Sequence, residues 1–188
     1  PQSQKAFITK LAKDHVSGQL RVAPEHMDPV ALDAMGKPEV SWYEQFVKAF
    51  DKASKECGKE QYCLPYLIAA HPGTTLSAAV DLALYLHSIH FIPEQVQEFY
   101  PTPGTIATCM YFTGIDPRPG KRFAPVHVPK GRERHLQRAL LQYNKDENRL
   151  LVLEALEKTG RKDLIPILLH SSRQKRLPQK SKRGKARS

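Results

Sequence analysis

The sequence predicts an α/β fold in which about three parallel strands alternate with helices, followed by a helical C-terminal extension and a disordered basic tail. Three observations predict it. A short apolar strand runs into a polar loop three times, at Leu20–His26, Leu67–Thr75 and Val96–Thr105. Helical stretches separate these strands, and strands joined through helices are most simply parallel, with right-handed crossovers. Beyond Gly114 the alternation stops and helical periodicity takes over.

Gln19–Ala23 is the first strand. Asp28 then offers an N-cap, Pro29 fits the first helical position, and Gly36 closes the short helix after Met35. Trp42, Phe46, Ala49, Phe50 and Ala53 follow the three-and-four spacing of a second helix that ends near Gly58. Leu64–Ala70 is an almost unbroken apolar run, as expected of a strand covered on both faces, and Pro65 belongs near its beginning because proline lacks the ladder donor. Thr74 or Thr75 caps a helix whose buried stripe is Leu76, Ala79, Val80, Ala83 and Leu86, ending before Phe91–Pro93. Gln95–Tyr100 is the third strand, stopped by Pro101–Gly104.

In the extension, Asp116–Gly120 reads as loop and Phe123–Val128 as a short extended piece. Lys130 and Gly131 lead into a helix with Leu136, Ala139, Leu140 and Tyr143 on its apolar face. A further helix runs from Asp146 to Gly160, and Leu164–Leu169 is an apolar stretch interrupted by Pro166.

The chain has 188 residues, 40% hydrophobic and 26% charged, enough for one ordinary core. No run approaches the ~18 apolar residues of a membrane helix and the start lacks a secretory pattern, so no membrane partner and a cytoplasmic location are expected. Cys57, Cys63 and Cys109 are odd in number with no CxxC pair, which points to reduced thiols rather than disulfides or zinc, Cys109 being best read as a packed thiol. The net charge of +10 is concentrated: eight basic residues from Arg173 to Arg187 face no acid, leaving 21 basic against 19 acidic residues elsewhere. Such a charge run with little apolar content is expected to be disordered, and it can make weak, salt-dependent contact with nucleic acid.

In parallel strand–helix folds chemistry sits where strands end and loops begin. Glu25 and His26 follow one strand and His71 another, so a carboxylate and two histidines can face one another. As metal ligands they lack a spacing signature, and hydrogen bonding to a bound small molecule or to the loops is the stronger reading. Gly73 and Gly104 permit either close approach to a ligand or simply tight turns. No serine stands in a GxSxG elbow.

Several longer motifs occur in one order: SGQLRVAPEH at Ser17–His26, MGKP at Met35–Pro38, PYLIAAHPGT at Pro65–Thr74, QVQEFYPTPGT at Gln95–Thr105, MYFTGID at Met110–Asp116, VPKG at Val128–Gly131 and QRALLQY at Gln137–Tyr143. Together they resemble the YgiQ-like radical S-adenosylmethionine (radical SAM) proteins from about Asp14 to Leu168. The resemblance implies the C-terminal half of a partial (β/α)6 radical SAM barrel at residues 1–114, a family-specific extension at 115–170 and the tail at 171–188. It also implies a [4Fe-4S] cluster and S-adenosylmethionine as cofactors of the parent protein, and generation of a 5'-deoxyadenosyl radical. By the family's order the strands are the fourth, fifth and sixth. Glu25 and His26 then fall near the ribose or methionine part of the cofactor, His71 and Gly73 near its adenine side, while Tyr100 and Thr102 help close the cavity.

One departure limits this expectation. The CxxxCxxC loop that carries the cluster thiolates is absent, and no earlier strands precede Leu20. The sequence is therefore read as the back portion of a larger enzyme, inactive alone, with the N-terminal half of the same protein as its partner and an unknown substrate. The alternatives are a stand-alone module whose basic tail binds RNA or ribosomes, and a non-catalytic remnant serving as an interaction surface.

Overall fold

The three apolar segments pair as parallel strands. In the computed structural model, which describes residues 2–169, β1 (Gln19–Glu25), β2 (Tyr62–Ala69) and β3 (Gln97–Glu98) form one sheet in the order β1-β2-β3, all parallel. The basic tail expected at 171–188 lies outside the described residues.

Ahead of β1 run α1 (Gln2–Lys10) and a π-helical turn, Leu11–His15. Between β1 and β2 the chain forms α2 (Pro29–Met35) and α3 (Val40–Glu56). The caps of α2 match the expectation: the Asp28 carboxylate accepts from the amide of Ala31 at 2.8 Å, Pro29 opens the helix, and Gly36 closes it at φ 68°. The apolar face of α3 packs Phe50 and Ala53 against Ile8, Ala12 and Val16, whereas Trp42 at its other end is 60% exposed. Between β2 and β3 stands α4 (Leu76–Ser88), capped by Thr75 through the amide of Ala78.

β2 departs from the expectation twice. Pro65 sits in the middle of the strand, paired with Val22, and not near its start. The ladder accommodates it because β3 reaches only Ile68 and Ala69, and the β1 register shifts just after it, between Val22 and Glu25. Nor is β2 covered on both faces: Leu67 and Ala69 pack on Leu82 and Leu86 of α4, but Tyr66 is exposed, as are Gln19, Arg21 and Ala23 of β1. The third strand is shorter than read, although the Phe99 amide still donates to the Ala69 carbonyl at 2.9 Å.

A helix not anticipated from the sequence, α5 (Ile106–Thr113), follows the proline-rich loop. Met110 is its one buried residue, while Ile106 and Phe112 face solvent, so no apolar stripe announced it. Cys109 on this helix is exposed, against the expectation of a packed thiol, because its position falls on that outer side. The expected extended piece at 123–128 is reduced to one antiparallel bridge, Ile115 to Pro125.

The extension consists of α6 (Arg132–Leu141), α7 (Arg149–Lys158) and α8 (Ile165–Leu169); α7 is led in by a 3-10 turn at Asp146–Asn148. Leu136, Leu140, Val152, Leu156 and Leu168 bury themselves against Ala79, Val80 and Ala83 of α4 in the largest core cluster. Burial of this kind contributes about 1.5–3 kcal/mol per large aliphatic side chain. α4 is therefore shared: its residues Leu82 and Leu86 serve the sheet and its small face serves the extension.

Candidate functional site

The C-terminal ends of β1 and β2 are built alike. β1 ends on Glu25 with φ 66° and β2 is followed by Ala70 with φ 58°, both in the left-handed region that non-glycine residues enter at a cost of roughly 1–2 kcal/mol. A histidine follows each. The register shift before Glu25 leaves it opposite Leu67 and turns the chain so that its carboxylate meets the Lys37 ammonium at 3.1 Å, while the same ammonium donates to the Ala23 carbonyl.

His26 is 2% exposed and His71 6% exposed, and the backbone assigns each a tautomer. The amide of Asp28 donates to Nδ1 of His26 at 3.0 Å, so that nitrogen carries no proton and the neutral ring bears it on Nε2. Nδ1 of His71 lies 2.7 Å from the Pro72 carbonyl, which can only accept, so here Nδ1 holds the proton and Nε2 offers a lone pair. Burial drives the His26 pKa down to about 4, opposed by Asp28 and helped by nearby His71. Burial also lowers that of His71, opposed by the Pro72 carbonyl and the Glu25 carboxylate. Both rings are thus neutral at pH 7. Neither Nε2 has a hydrogen-bond partner among the described residues. The pair presents one donor and one acceptor, which suits a polar uncharged edge.

Aromatic side chains continue the site from His71. Phe99 stands edge-on to it at 4.9 Å between ring centres, and Tyr111 lies 5.7 Å from Phe99. Arg134 of α6 lies over Tyr111, pairs with Glu98 and donates to the Phe99 carbonyl at 2.8 Å, fastening the end of β3 to the extension. Tyr100, 78% exposed, and Thr102 are exposed on the loop that follows β3; the Thr102 carbonyl accepts from the hydroxyls of Thr105 and Thr108.

Of the residues singled out in the sequence, Glu25, His26 and His71 come together. Gly73 has a different neighbour. A Cβ there would come within 2.5 Å of Ala34 Cβ, and its amide donates to the His127 carbonyl, so the space beside it belongs to α2. Gly104, at φ 80°, has open space around it. Sequence reasoning missed Lys37, Arg134 and Gln137. The last had a signal, a fully polar side chain next to the apolar positions Leu136 and Leu140, and the structure buries it at the end of β2.

A cavity of about 200 Å³ opens beside His26, between β1, α2 and α3, lined by Val22, Leu32, Lys37, Trp42 and Tyr43. That is below the ~300–1,000 Å³ of small-molecule sites. The thiols do not converge: Cys57 ends α3, Cys63 lies in β2 with its pKa pushed up to about 11 by burial, and Cys109 is on α5. Among the described residues, no group of three or more histidine, cysteine, aspartate or glutamate side chains could hold a metal ion. None of the described helices is long and apolar enough to cross a membrane.

Residues 94–187 match a family described as Domain of unknown function (DUF3362). The chain is similar to proteins named UPF0313 protein: 47% identical over 160 residues to one from Clostridium perfringens, covering 85% of this chain and 24% of the relative. A Methanocella arvoryzae protein of the same name is 49% identical over 160 residues, covering 85% of this chain and 26% of the relative. A Clostridium botulinum protein of that name is 47% identical over 160 residues, again 85% and 24%. The chain spans about a quarter of the length of these curated relatives.

Proposed function

The chain belongs to the DUF3362 family, and from that premise we propose that it is the C-terminal portion of a longer radical S-adenosylmethionine enzyme, contributing the last strands of a partial barrel and part of the cofactor site. The observation that carries the reading is the pair of buried, neutral histidines with free Nε2 atoms beside Glu25 at the ends of parallel strands. The motif resemblance from Asp14 to Leu168 and the small share of its relatives' length that the chain spans support it.

The two cofactors fare differently against the residues present. Cys57, Cys63 and Cys109 do not fit a [4Fe-4S] cluster, whose thiolates need one preformed loop, so its ligands are assigned to the N-terminal part of the longer protein. The strand ends do fit part of S-adenosylmethionine: the Nε2–H of His26 and the Nε2 lone pair of His71 can meet an acceptor and a donor on the ligand, and the Glu25 carboxylate can meet a hydroxyl or an ammonium. Tyr100 and Thr102 are exposed just after β3, and in this reading they help to enclose the bound molecule. When bound, the cofactor supplies a 5'-deoxyadenosyl radical, formed together with methionine by one-electron cleavage of its carbon–sulfur bond. Keeping both imidazoles uncharged serves such a site, since a cation next to a sulfonium is repelled.

The test uses the longer protein, reconstituted anaerobically with iron and sulfide and supplied with a one-electron reductant. The expected result is 5'-deoxyadenosine from S-adenosylmethionine, with at least a tenfold loss on His71→Ala, while the 188-residue chain alone takes up no cluster and forms none. A cluster-loaded longer protein that forms no 5'-deoxyadenosine overturns the reading.

A further inference from the structure

We infer that Gln137, on the extension helix α6, is a positioning residue that fixes His71 for ligand contact. The inference rests on reading the β1 and β2 strand ends as the site. Its observation is one buried amide grasping the loop on both sides of the histidine. Oε1 of Gln137 accepts from the amide of Ala70 at 3.2 Å, immediately before His71. Nε2 donates to the Thr74 carbonyl at 3.0 Å, three residues after it. The Thr74 hydroxyl shares its single proton between the His71 carbonyl at 2.6 Å and Oε1 at 2.9 Å.

The orientation of that amide is determined twice. The Ala70 N–H can only donate, so oxygen must face it; the Glu133 carboxylate, 3.1 Å from Nε2, can only accept, so nitrogen must face Glu133. Glu133 is held in turn by Nε2 of His127, whose own carbonyl receives the Gly73 amide. Every polar atom of the Gln137 side chain is therefore satisfied, and Gln137 and Thr74 are buried, a setting in which one missing partner is costly.

Geometry gives this amide a task beyond packing. Ala70 is held at φ 58°, where an alanine does not stay unaided, and that conformation swings the chain so that Nδ1 of His71 can reach the Pro72 carbonyl. Released, Ala70 relaxes towards negative φ, the bond to Pro72 loses its register, and the imidazole returns to a mixture of tautomers. The extension thereby acts on the site through the side chain it inserts.

The experiment is long-range proton–nitrogen NMR of the full 188-residue chain labelled with 15N-histidine, with His71→Asn identifying the His71 signals. The expected wild-type spectrum shows His71 as a single Nδ1–H tautomer. In Gln137→Leu, and in Gln137→Met, which keeps the length of the side chain but none of its hydrogen bonds, His71 becomes a mixture and His26 keeps its Nε2–H form. A single Nδ1–H tautomer persisting in either folded variant overturns the inference whatever happens to thermal stability, as does a mixture in the wild type. Gln137→Met decides the matter if Gln137→Leu does not fold. Because the readout needs no cofactor, a longer protein that fails to form 5'-deoxyadenosine removes the proposed enzyme function while these spectra judge the clamp separately.

Discussion

Adding a methyl group at Gly73 tests how tightly the site is assembled. The new Cβ would stand 2.5 Å from Ala34 Cβ at a φ of 93°, so Gly73→Ala combines backbone strain with overpacking of α2 against the β2–α4 loop. The expected cost is about 2–4 kcal/mol, read as a lower urea midpoint with an unchanged slope. His26 makes the second residue-scale prediction. Its pKa is about 4 in the folded chain and about 6.5 when unfolded, so between those values the unfolded chain binds a proton that the folded chain refuses. Stability therefore falls as pH drops from about 6.5 towards 4 and is insensitive to this group above pH 7. His26→Gln should reduce the loss between pH 7.5 and 4.5 by about 2 kcal/mol, measured by urea unfolding at the two pH values. The lowered pKa of His71 acts in the same direction and leaves a residual acid sensitivity.

At the scale of elements, the short helix α2 depends on its ends. Seven residues bring little intrinsic helical stability, and the Asp28 carboxylate supplies a partner for the otherwise unsatisfied Ala31 amide. Asp28→Ala should cost about 1 kcal/mol in denaturant unfolding. The same helix was legible in the sequence because capping is local: Asp28, Pro29 and Gly36 each state one boundary. α5 was not legible, since Thr105 and Gly114 cap it but its residues bury only Met110 and show no amphipathic period. Pro65 misled for a related reason. Proline forbids one ladder bond, yet whether a ladder exists at that point depends on how far β3 and the β1 register extend, which no local rule states. In the extension, Leu140 is fully buried between α4 and α7, and Leu140→Ala should cost about 2–5 kcal/mol, seen as a fall in thermal midpoint.

At the scale of the molecule, the sheet and the extension share α4, so they should unfold together. The fluorescence of Trp42 in α3 and the far-ultraviolet circular dichroism of all the helices are expected to give coincident urea transitions. Two separated transitions would show the extension folding on its own. Sequence alone determined the alternation of strands and helices as far as β3, the parallel pairing and the apolar faces of α3, α4 and α6, and it singled out Glu25, His26 and His71 by position, because periodicity, caps and strand-to-loop junctions are written within a few neighbouring positions. Tertiary structure decided the tautomers of the two histidines, the packing of α2 into the space beside Gly73, and the grip of Gln137 on a loop 63 positions earlier in the chain. Those outcomes depend on which backbone groups approach one another through space, and a hydrogen bond's sign and direction are properties of such pairs that no single stretch of sequence carries.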